Sequence, residues 1–131
     1  MAVEIKVPSS RRCELIDITS QVEKVISDSK IKDGLCVVFC PHTTAGIIIN
    51  ENSDPDVKQD LLDALEMMIP KIRFSHNEGN SDAHLKSSLV GSEKILIVEN
   101  AKIVLGQWQA IYIAEFDGPR ERKILIKIVP N

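Results

Sequence analysis

The chain of 131 residues, with 44% hydrophobic and 27% charged residues, has the composition of one ordered, soluble globular domain. Its net charge of -3, with no block of lysines and arginines, argues against binding to nucleic acid or to an anionic membrane surface. The three cysteines form no CxxC pair, the start resembles a strand instead of a signal peptide, and no apolar run approaches the roughly 20 residues of a membrane span. These features favour a cytoplasmic protein.

Strand and helix patterns alternate in the N-terminal part of the chain. Residues 2–7 alternate loosely as an edge strand does, and residues 12–18 continue the strand signal. Apolar residues at helical spacing then predict a short helix over residues 21–29, with Thr19 or Ser20 as its N-cap. This part of the sequence is predicted to be structural.

A strongly apolar run at residues 35–41 predicts a buried strand, and strand alternation places His42 on the same side as Cys40. Thr43 and Thr44 then interrupt the run before residues 47–49 resume it. An interruption between two buried strands brings hydroxyl and backbone groups to a strand end, where binding sites are commonly built. A plain turn explains the same pattern, and Cys40 is predicted to be buried and inert.

The clearest helix in the sequence follows a polar segment that begins at Asn50 and Glu51. Asp54 precedes Pro55, the usual order of N-cap and first helical residue. Apolar residues at helical spacing predict a helix over residues 55–69 that ends before a proline, with its two methionines, Met67 and Met68, in the core.

The segment at residues 76–84 contains two of the three histidines among acids, amides and a glycine, and a core does not require it. A helix follows at residues 85–89, for which Asn80, Ser81 or Asp82 can serve as the cap. The N-terminus of such a helix can hold an anion. The alternative is a polar surface loop with a good helix cap.

Strands dominate the C-terminal part, at residues 94–98, 107–116 and 123–129. In the second of these, Trp108 shares one face with the smaller aromatics, while Glu115 and Asp117 share the opposite face. Turns too short for a parallel crossover join these strands. The sequence therefore predicts a single α+β domain over residues 1–131, with mostly antiparallel sheets and two or three helices.

Two kinds of chemistry fit the polar residues. The histidines His42, His76 and His84 all lie beside turn-forming residues, and three neutral imidazoles make an open zinc site; the alternative is that they are unpaired or satisfied in the core. Acids can hold Mg²⁺, and an arginine can bind a phosphate or diphosphate through two hydrogen bonds. The residues available for such a polar site are Asn50, Glu51, Asp54, Asn80, His84, Glu115, Asp117 and Arg120. Structural ion pairs Glu115–Arg120 or Asp117–Arg122 are the alternative.

Five motifs in order resemble one known family across nearly the whole chain. They are Pro-His-Thr-Thr-Ala-Gly at 41–46, Asn-Glu-Asn-Ser-Asp-Pro at 50–55, the segment 76–84 with Glu-Gly-Asn and Ala-His, Leu-Gly-Gln-Trp-Gln at 105–109, and Glu-Phe-Asp-Gly-Pro-Arg-Glu-Arg at 115–122. The sequence resembles the YjbQ family, whose members are also described as secondary thiamine-phosphate synthase enzymes.

This resemblance implies a distorted β-sandwich with flanking helices, a homotrimer, and a polar pocket near the subunit boundary. It also implies a weak or secondary transferase activity that joins a pyrimidine methyl diphosphate to a thiazole phosphate and releases diphosphate. The implied partner is therefore a small phosphorylated molecule. A divalent metal, Mg²⁺ or Zn²⁺, is the only cofactor that the residues suggest.

The candidate residues divide by role. The catalytic candidates are His42, Glu51, Asp54, Asn80, His84, Glu115 and Asp117. The candidates for binding substrate or phosphate are Thr43, Thr44, Asn50, Gln109, Arg120 and Arg122. The metal candidates are His42, His76 and His84, and Trp108 also matches the family pattern. A trimeric protein that binds a metal or a small anion without turnover is the alternative function.

Overall fold

The computed structural model describes residues 2–131. In chain order the elements are β1 (Val3–Pro8), β2 (Glu14–Asp17), α1 (Thr19–Ser29), β3 (Gly34–Phe39), β4 (Ala45–Glu51), α2 (Pro55–Met67), α3 (Ser81–Val90), β5 (Glu93–Glu99), β6 (Lys102–Ile103), β7 (Gln109–Glu115) and β8 (Glu121–Pro130). The strands form one sheet in the order β1-β8-β3-β5-β6 and a second in the order β2-β7-β4. Every strand pair described is antiparallel, which confirms the predicted α+β class.

The N-termini of α1 and α2 show which capping predictions hold. Asp54 accepts a hydrogen bond from the Asp56 N–H at 2.9 Å and Pro55 follows it, so the predicted start of α2 is confirmed. The predicted cap of α1 is wrong, because the helix begins at Thr19 and the Asp17 side chain accepts from the Thr19 N–H at 2.9 Å. The Asp17 carboxylate at the end of β2 therefore accepts from the start of the helix, in place of the predicted hydroxyl of Thr19 or Ser20.

Strand β7 lies between two hydrophobic clusters and is buried on both faces. Ile111 and Ile113 pack into the cluster under the five-stranded sheet, with α1 over its edge. Ala110, Tyr112, Ala114 and Phe116 pack into a second, smaller cluster that α2 and α3 cover. A central strand of this kind explains why its long apolar run lacks polar alternation over most of its length.

Helix α2 lies on the surface, and no residue in it is fully buried. Its leucines pack only partly against the smaller cluster. Met67 is 85% exposed and Met68 is 62% exposed, so the prediction that they belong to the core is wrong. They follow the part of α2 that contacts the cluster, and helical spacing alone does not show where that contact ends. No helix within residues 2–131 has both the length and the apolarity needed to cross a bilayer.

Candidate functional site

A buried ion pair holds together the strand end where most of the predicted site residues meet. Ala45 at the start of β4 lies opposite Glu115 at the end of β7. Glu115 is fully buried, and its carboxylate accepts hydrogen bonds from Arg122 on β8, from the Ser9 hydroxyl at 2.7 Å and from the Asp117 N–H at 3.0 Å. The ion pair therefore links β7 to β8, and the hydrogen bond from Ser9 adds the residue that follows β1.

The charge state of Glu115 follows from these contacts. Burial alone favours the neutral acid, but the hydrogen bonds from Arg122, Ser9 and the Asp117 N–H outweigh it, so the pKa of Glu115 lies below its usual value. Glu115 is therefore an ionised structural carboxylate at neutral pH. Acid–base work at a reacting group is not its natural role, because it has no exposed surface.

Arg122 is occupied by its protein partners. Besides its two bonds to Glu115, it donates to the Thr44 hydroxyl at 2.9 Å and to the Thr44 carbonyl at 3.2 Å. Only 3% of its side chain is exposed. The expected phosphate-binding role of Arg122 and Thr44 does not fit this geometry, because neither side chain is free to meet a ligand. The sequence predicted the ion pairs of this turn as Glu115–Arg120 or Asp117–Arg122. The structure instead pairs Glu115 with Arg122 and Asp117 with Arg120.

The second pair at this turn joins Asp117 to Arg120. The Asp117 carboxylate accepts from Arg120 Nη2 at 2.8 Å and from Asn80 Nδ2 at 2.9 Å. Asn80 precedes α3 as predicted, yet its side chain bonds to Asp117 instead of capping the helix. Its Oδ1 atom is buried without a partner within residues 2–131. Asn80 therefore ties the start of α3 to the 115–122 turn, while Arg120 remains half exposed.

His42 lies three residues after the end of β3, and its side chain contacts the backbone of β8 at Lys123. The Lys123 N–H donates to His42 Nε2 at 3.0 Å. The same Nε2 atom lies 3.2 Å from the Lys123 carbonyl oxygen, so it serves the Lys123 backbone as acceptor in one tautomer and as donor in the other. Burial and the nearby Arg122 charge lower the pKa of His42. His42 is therefore a neutral imidazole whose Nε2 is already in use.

This shift gives stability a pH dependence. The folded protein holds His42 neutral, so the unfolded chain binds the extra proton in the window between the lowered pKa and the ordinary value of about 6.5. The contribution of His42 to the free energy of unfolding is fully present above that window and is lost as pH falls through it. Urea titrations of the wild type and His42→Gln check this, and the variant is expected to show the shallower fall. An equally steep fall in both would assign the dependence elsewhere.

His42, Thr43 and His84 line one cavity of about 390 Å³ between the loop at 40–44 and α3. The remaining lining residues are mostly small and polar: Ala45, Ser87, Ser88, Gly91, Ser92 and Glu93. The Ser87 hydroxyl donates to the Thr43 carbonyl at 2.5 Å and thereby joins the loop to the helix. The structure therefore brings two of the predicted histidines and one predicted threonine to a common cavity.

The third histidine lies behind the second. The rings of His76 and His84 meet edge to face with their centroids 5.4 Å apart, and Ser81 Oγ lies 3.3 Å from His76 Nδ1. No group of three or more His, Cys, Asp or Glu side chains in residues 2–131 is arranged to hold a metal ion. With the Nε2 atom of His42 also engaged by Lys123, the three histidines do not fit a three-ligand metal site within one chain.

The remaining candidates lie at the other end of the smaller sheet. Glu51 pairs with Gln109, whereas Ala45 pairs with Glu115, and six residues of strand separate these positions by about 20 Å. Asn50 accepts from the Glu51 N–H at 2.8 Å, and Gln109 accepts from the Gly106 N–H at 2.7 Å. With the capping residue Asp54 and the half-exposed Trp108, they form a separate group. Within one chain, the predicted polar site is therefore divided between two ends of a sheet.

Sequence reasoning missed several residues of this region. Arg12 binds Asp82 through two hydrogen bonds of 3.0 and 2.9 Å, which lower the pKa of Asp82. Lys86 is buried and forms an ion pair with Glu66 of α2. No local pattern indicates these pairs, because their members lie far apart in the sequence. Only Lys86 carries a hint, as a lysine inside the apolar run that follows His84.

The protein is therefore a small α+β domain of two antiparallel sheets, with a polar cavity at a strand end that His42 and His84 line. The chain belongs to the family described as UPF0047 protein YjbQ-like, whose family model matches residues 3–131. The family resemblance of the five motifs is thereby confirmed.

Relatives of this chain span archaea and bacteria. A UPF0047 protein of Methanocaldococcus jannaschii is 52% identical over 130 residues, which cover 98% of this chain and 94% of the relative. The UPF0047 protein YugU of Bacillus subtilis is 47% identical over 131 residues, which cover 98% of this chain and 99% of the relative. A crystal structure of an uncharacterized YjbQ/UPF0047 family protein from Clostridium acetobutylicum matches with a TM-score of 0.94 and 52% identity, covering 97% of this chain and 99% of that one.

Proposed function

We propose that this protein is a transferase that binds a small phosphorylated substrate in the cavity between His42 and His84. As a weak or secondary activity, it joins a pyrimidine methyl diphosphate to a thiazole phosphate and releases diphosphate. The observation that carries the proposal is the shared cavity, in which two imidazoles and the Thr43 hydroxyl line the same space of about 390 Å³. That volume lies within the usual range for small-molecule sites.

In this reaction the thiazole nitrogen attacks the methylene carbon of the pyrimidine, and the carbon–oxygen bond to diphosphate breaks. The leaving diphosphate keeps the bonding electrons, so groups that donate hydrogen bonds to its oxygens stabilise the transition state. His84 and Thr43 are the donors that the cavity offers, and Arg120 of the 115–122 turn, although paired with Asp117, keeps 52% of its side chain exposed for a phosphate oxygen. When protonated, His84 can also give its proton to the oxygen that leaves with diphosphate, because it is a histidine on the cavity wall.

No step of this proposal is routed through a metal ion. Zn²⁺ on the three histidines does not fit the ring arrangement within one chain, and Glu51 and Asp54 lie at the opposite end of β4 from the cavity. The chemistry assigned to the protein is therefore limited to hydrogen bonding, charge and proton transfer by its own side chains.

A homotrimer in the cytoplasm is part of the proposal. Leu35 and Ile97 lie opposite each other on β3 and β5 and are 43% and 52% exposed, and Ile95 beside them is 64% exposed. An apolar patch of this kind on a sheet face supports burial against another copy of the chain. All three cysteines, Cys13, Cys36 and Cys40, are free thiols, which supports a reducing compartment.

The test is a diphosphate-release assay with both substrates, on the wild type and on His84→Ala. We expect the variant to lose at least about 10²-fold in turnover, the usual contribution of one acid–base group. Ser20→Ala, which removes an exposed hydroxyl on α1, is the control and is expected to keep wild-type turnover. Equal turnover in wild type and His84→Ala, or no diphosphate release by the wild type, would reject the transferase.

A second function, binding of a small anion without turnover, is favoured by the division of the polar residues. Glu51, one of the carboxylates proposed to hold Mg²⁺, lies about 20 Å along β4 from Ala45, which lines the cavity. Calorimetry with inorganic phosphate separates the two functions. Saturable binding that His84→Ala abolishes, with no diphosphate release by the wild type, would assign the protein to this second class.

A further inference from the structure

The five-stranded sheet has one face turned toward the core and one turned away from it. Cys36 and Val38 of β3 belong to the core side, so strand alternation places the residues between and beside them on the opposite side, which we call the outer face. Apolar side chains in contact range along the registers of β3 with β5 and β8 remain exposed there: Leu35, Phe39, Ile95, Ile97 and Val129. A contiguous apolar patch of this kind marks an interaction surface.

The strand registers fix where the charged residues lie on the outer face. On β8, Leu125 lies opposite Phe39, and Lys123 and Lys127 are two residues to either side of it on the same face. On β5, Glu93 also lies opposite Phe39. Along the strand direction, Glu93 on one side of β3 is therefore level with the space between two lysines on the other side.

The two halves of the outer face have opposite net charge. The half formed by β1 and β8 has a net charge of +1, from Lys6, Lys123 and Lys127 against Glu4 and Glu121. The half formed by β5 and β6 has a net charge of -1, from Glu93 and Glu99 against Lys102. Within residues 2–131, Lys6 pairs with Glu121, whereas Lys123, Lys127 and Glu93 belong to no ion pair.

A second copy of the chain satisfies both the apolar patch and these charges. Covering the patch removes apolar surface from water, but a lysine covered at the same time needs an anion beside it. Copies related by an axis that runs along the strands keep equivalent residues at the same level. When the β8 half of one copy meets the β5 half of the next, Glu93 therefore falls between Lys123 and Lys127. Setting β8 against β8 would instead bring lysines together, which electrostatic repulsion disfavours.

We propose that the outer face binds a second copy of this chain, with Lys123 and Lys127 of one copy against Glu93 of the next. Glu93 also lines the cavity between His42 and His84, so the two lysines of the neighbouring copy lie at the rim of that cavity. This inference rests on the homotrimer in the proposed function and names the surfaces and charges that hold it together.

Sedimentation velocity over a dilution series tests the proposal without requiring turnover. Glu93→Lys brings three cations together at the contact, so we expect the dissociation constant of the oligomer to rise by at least about tenfold. Glu23→Lys, on the exposed surface of α1, makes the same charge change away from the outer face and is the matched control, with wild-type assembly expected. The triple variant Glu93→Lys/Lys123→Glu/Lys127→Glu reverses every charge of the contact and is expected to recover most of the lost affinity.

Three results would overturn the proposal: a wild type that is monomeric throughout the series, equal effects of Glu93→Lys and Glu23→Lys, or no recovery in the triple variant. Recovery in the triple variant also shows that the single variant fails through its charge and not through misfolding. Assembly that responds as expected, in a protein that releases no diphosphate, would retain this interface and reject the transferase. The failure of the interface and the failure of the proposed function are therefore distinguishable.

Discussion

Replacing Arg122 by methionine is expected to lower the free energy of unfolding by about 3–5 kcal/mol, the usual cost of leaving one member of a buried ion pair alone. Arg122 is 3% exposed and Glu115 is fully buried, so the remaining carboxylate would have neither water nor a cation to stabilise its charge. The variant also removes the two bonds to Thr44, the last residue of the loop at 40–44. Urea denaturation at neutral pH measures the loss.

The double variant Glu115→Leu/Arg122→Met is the control, because removing both charges removes the unpaired one. It is expected to recover most of the lost free energy, since apolar replacements of a buried pair are often neutral or stabilising.

The lowered pKa of Glu115 also predicts a pH dependence. The stabilisation by the pair is present above the ordinary pKa of about 4.3 and is lost as pH falls through the lower pKa of the folded protein. The difference between wild type and Arg122→Met should therefore shrink in acid. A loss below about 1 kcal/mol at neutral pH would contradict the importance of this pair.

Adding one methyl group at Gly46 is expected to cost about 3 kcal/mol of unfolding free energy, the upper part of the range for overpacking. A Cβ atom there would lie 2.5 Å from the Gly91 carbonyl oxygen and 2.5 Å from Val90 Cγ2. The oxygen belongs to the backbone and accepts the Ile47 N–H at 3.1 Å, so it cannot move away without breaking that bond. The end of α3 must therefore shift away from β4.

This shift also reaches the proposed site, because His84 and Ser87 of α3 line the cavity between His42 and His84. Gly46→Ala is expected to weaken diphosphate binding as well as stability, measured by calorimetry and by thermal unfolding. Gly106→Ala is the matched control, since its Cβ would meet the flexible Gln109 side chain at 3.1 Å, and it is expected to cost less than about 1 kcal/mol. Similar losses in both variants would show that close packing at Gly46 is not the cause.

Within a chain of this size, the elements that depend on local neighbours were predictable. Asp54 followed by Pro55 predicted the start of α2, and the alternation in β8 predicted a strand with one buried face. Short turns between the C-terminal strands predicted antiparallel pairing, which β5 and β6 show, whereas β7 and β8 belong to different sheets. The five motifs, read together, predicted the family that the comparisons then showed.

The site was predictable only in part. The sequence singled out His42, Thr43 and His84, and these do meet at one cavity. It also grouped Glu51 with them, although the register of β4 with β7 places Glu51 at the opposite end of the strand pair. A list of polar residues contains no distances, so it cannot separate two ends of one sheet.

What the sequence by itself determined was the set of elements, their antiparallel arrangement and the family, because each follows from residues that are neighbours in the chain or from motifs in order. Only the tertiary structure decided which charges pair and which groups remain free for a ligand. Glu115 with Arg122, and His42 with the Lys123 backbone, are joined by the registers of strands and loops that meet only after folding. Those registers depend on how both sheets pack together, and no local pattern of residues predicts that packing.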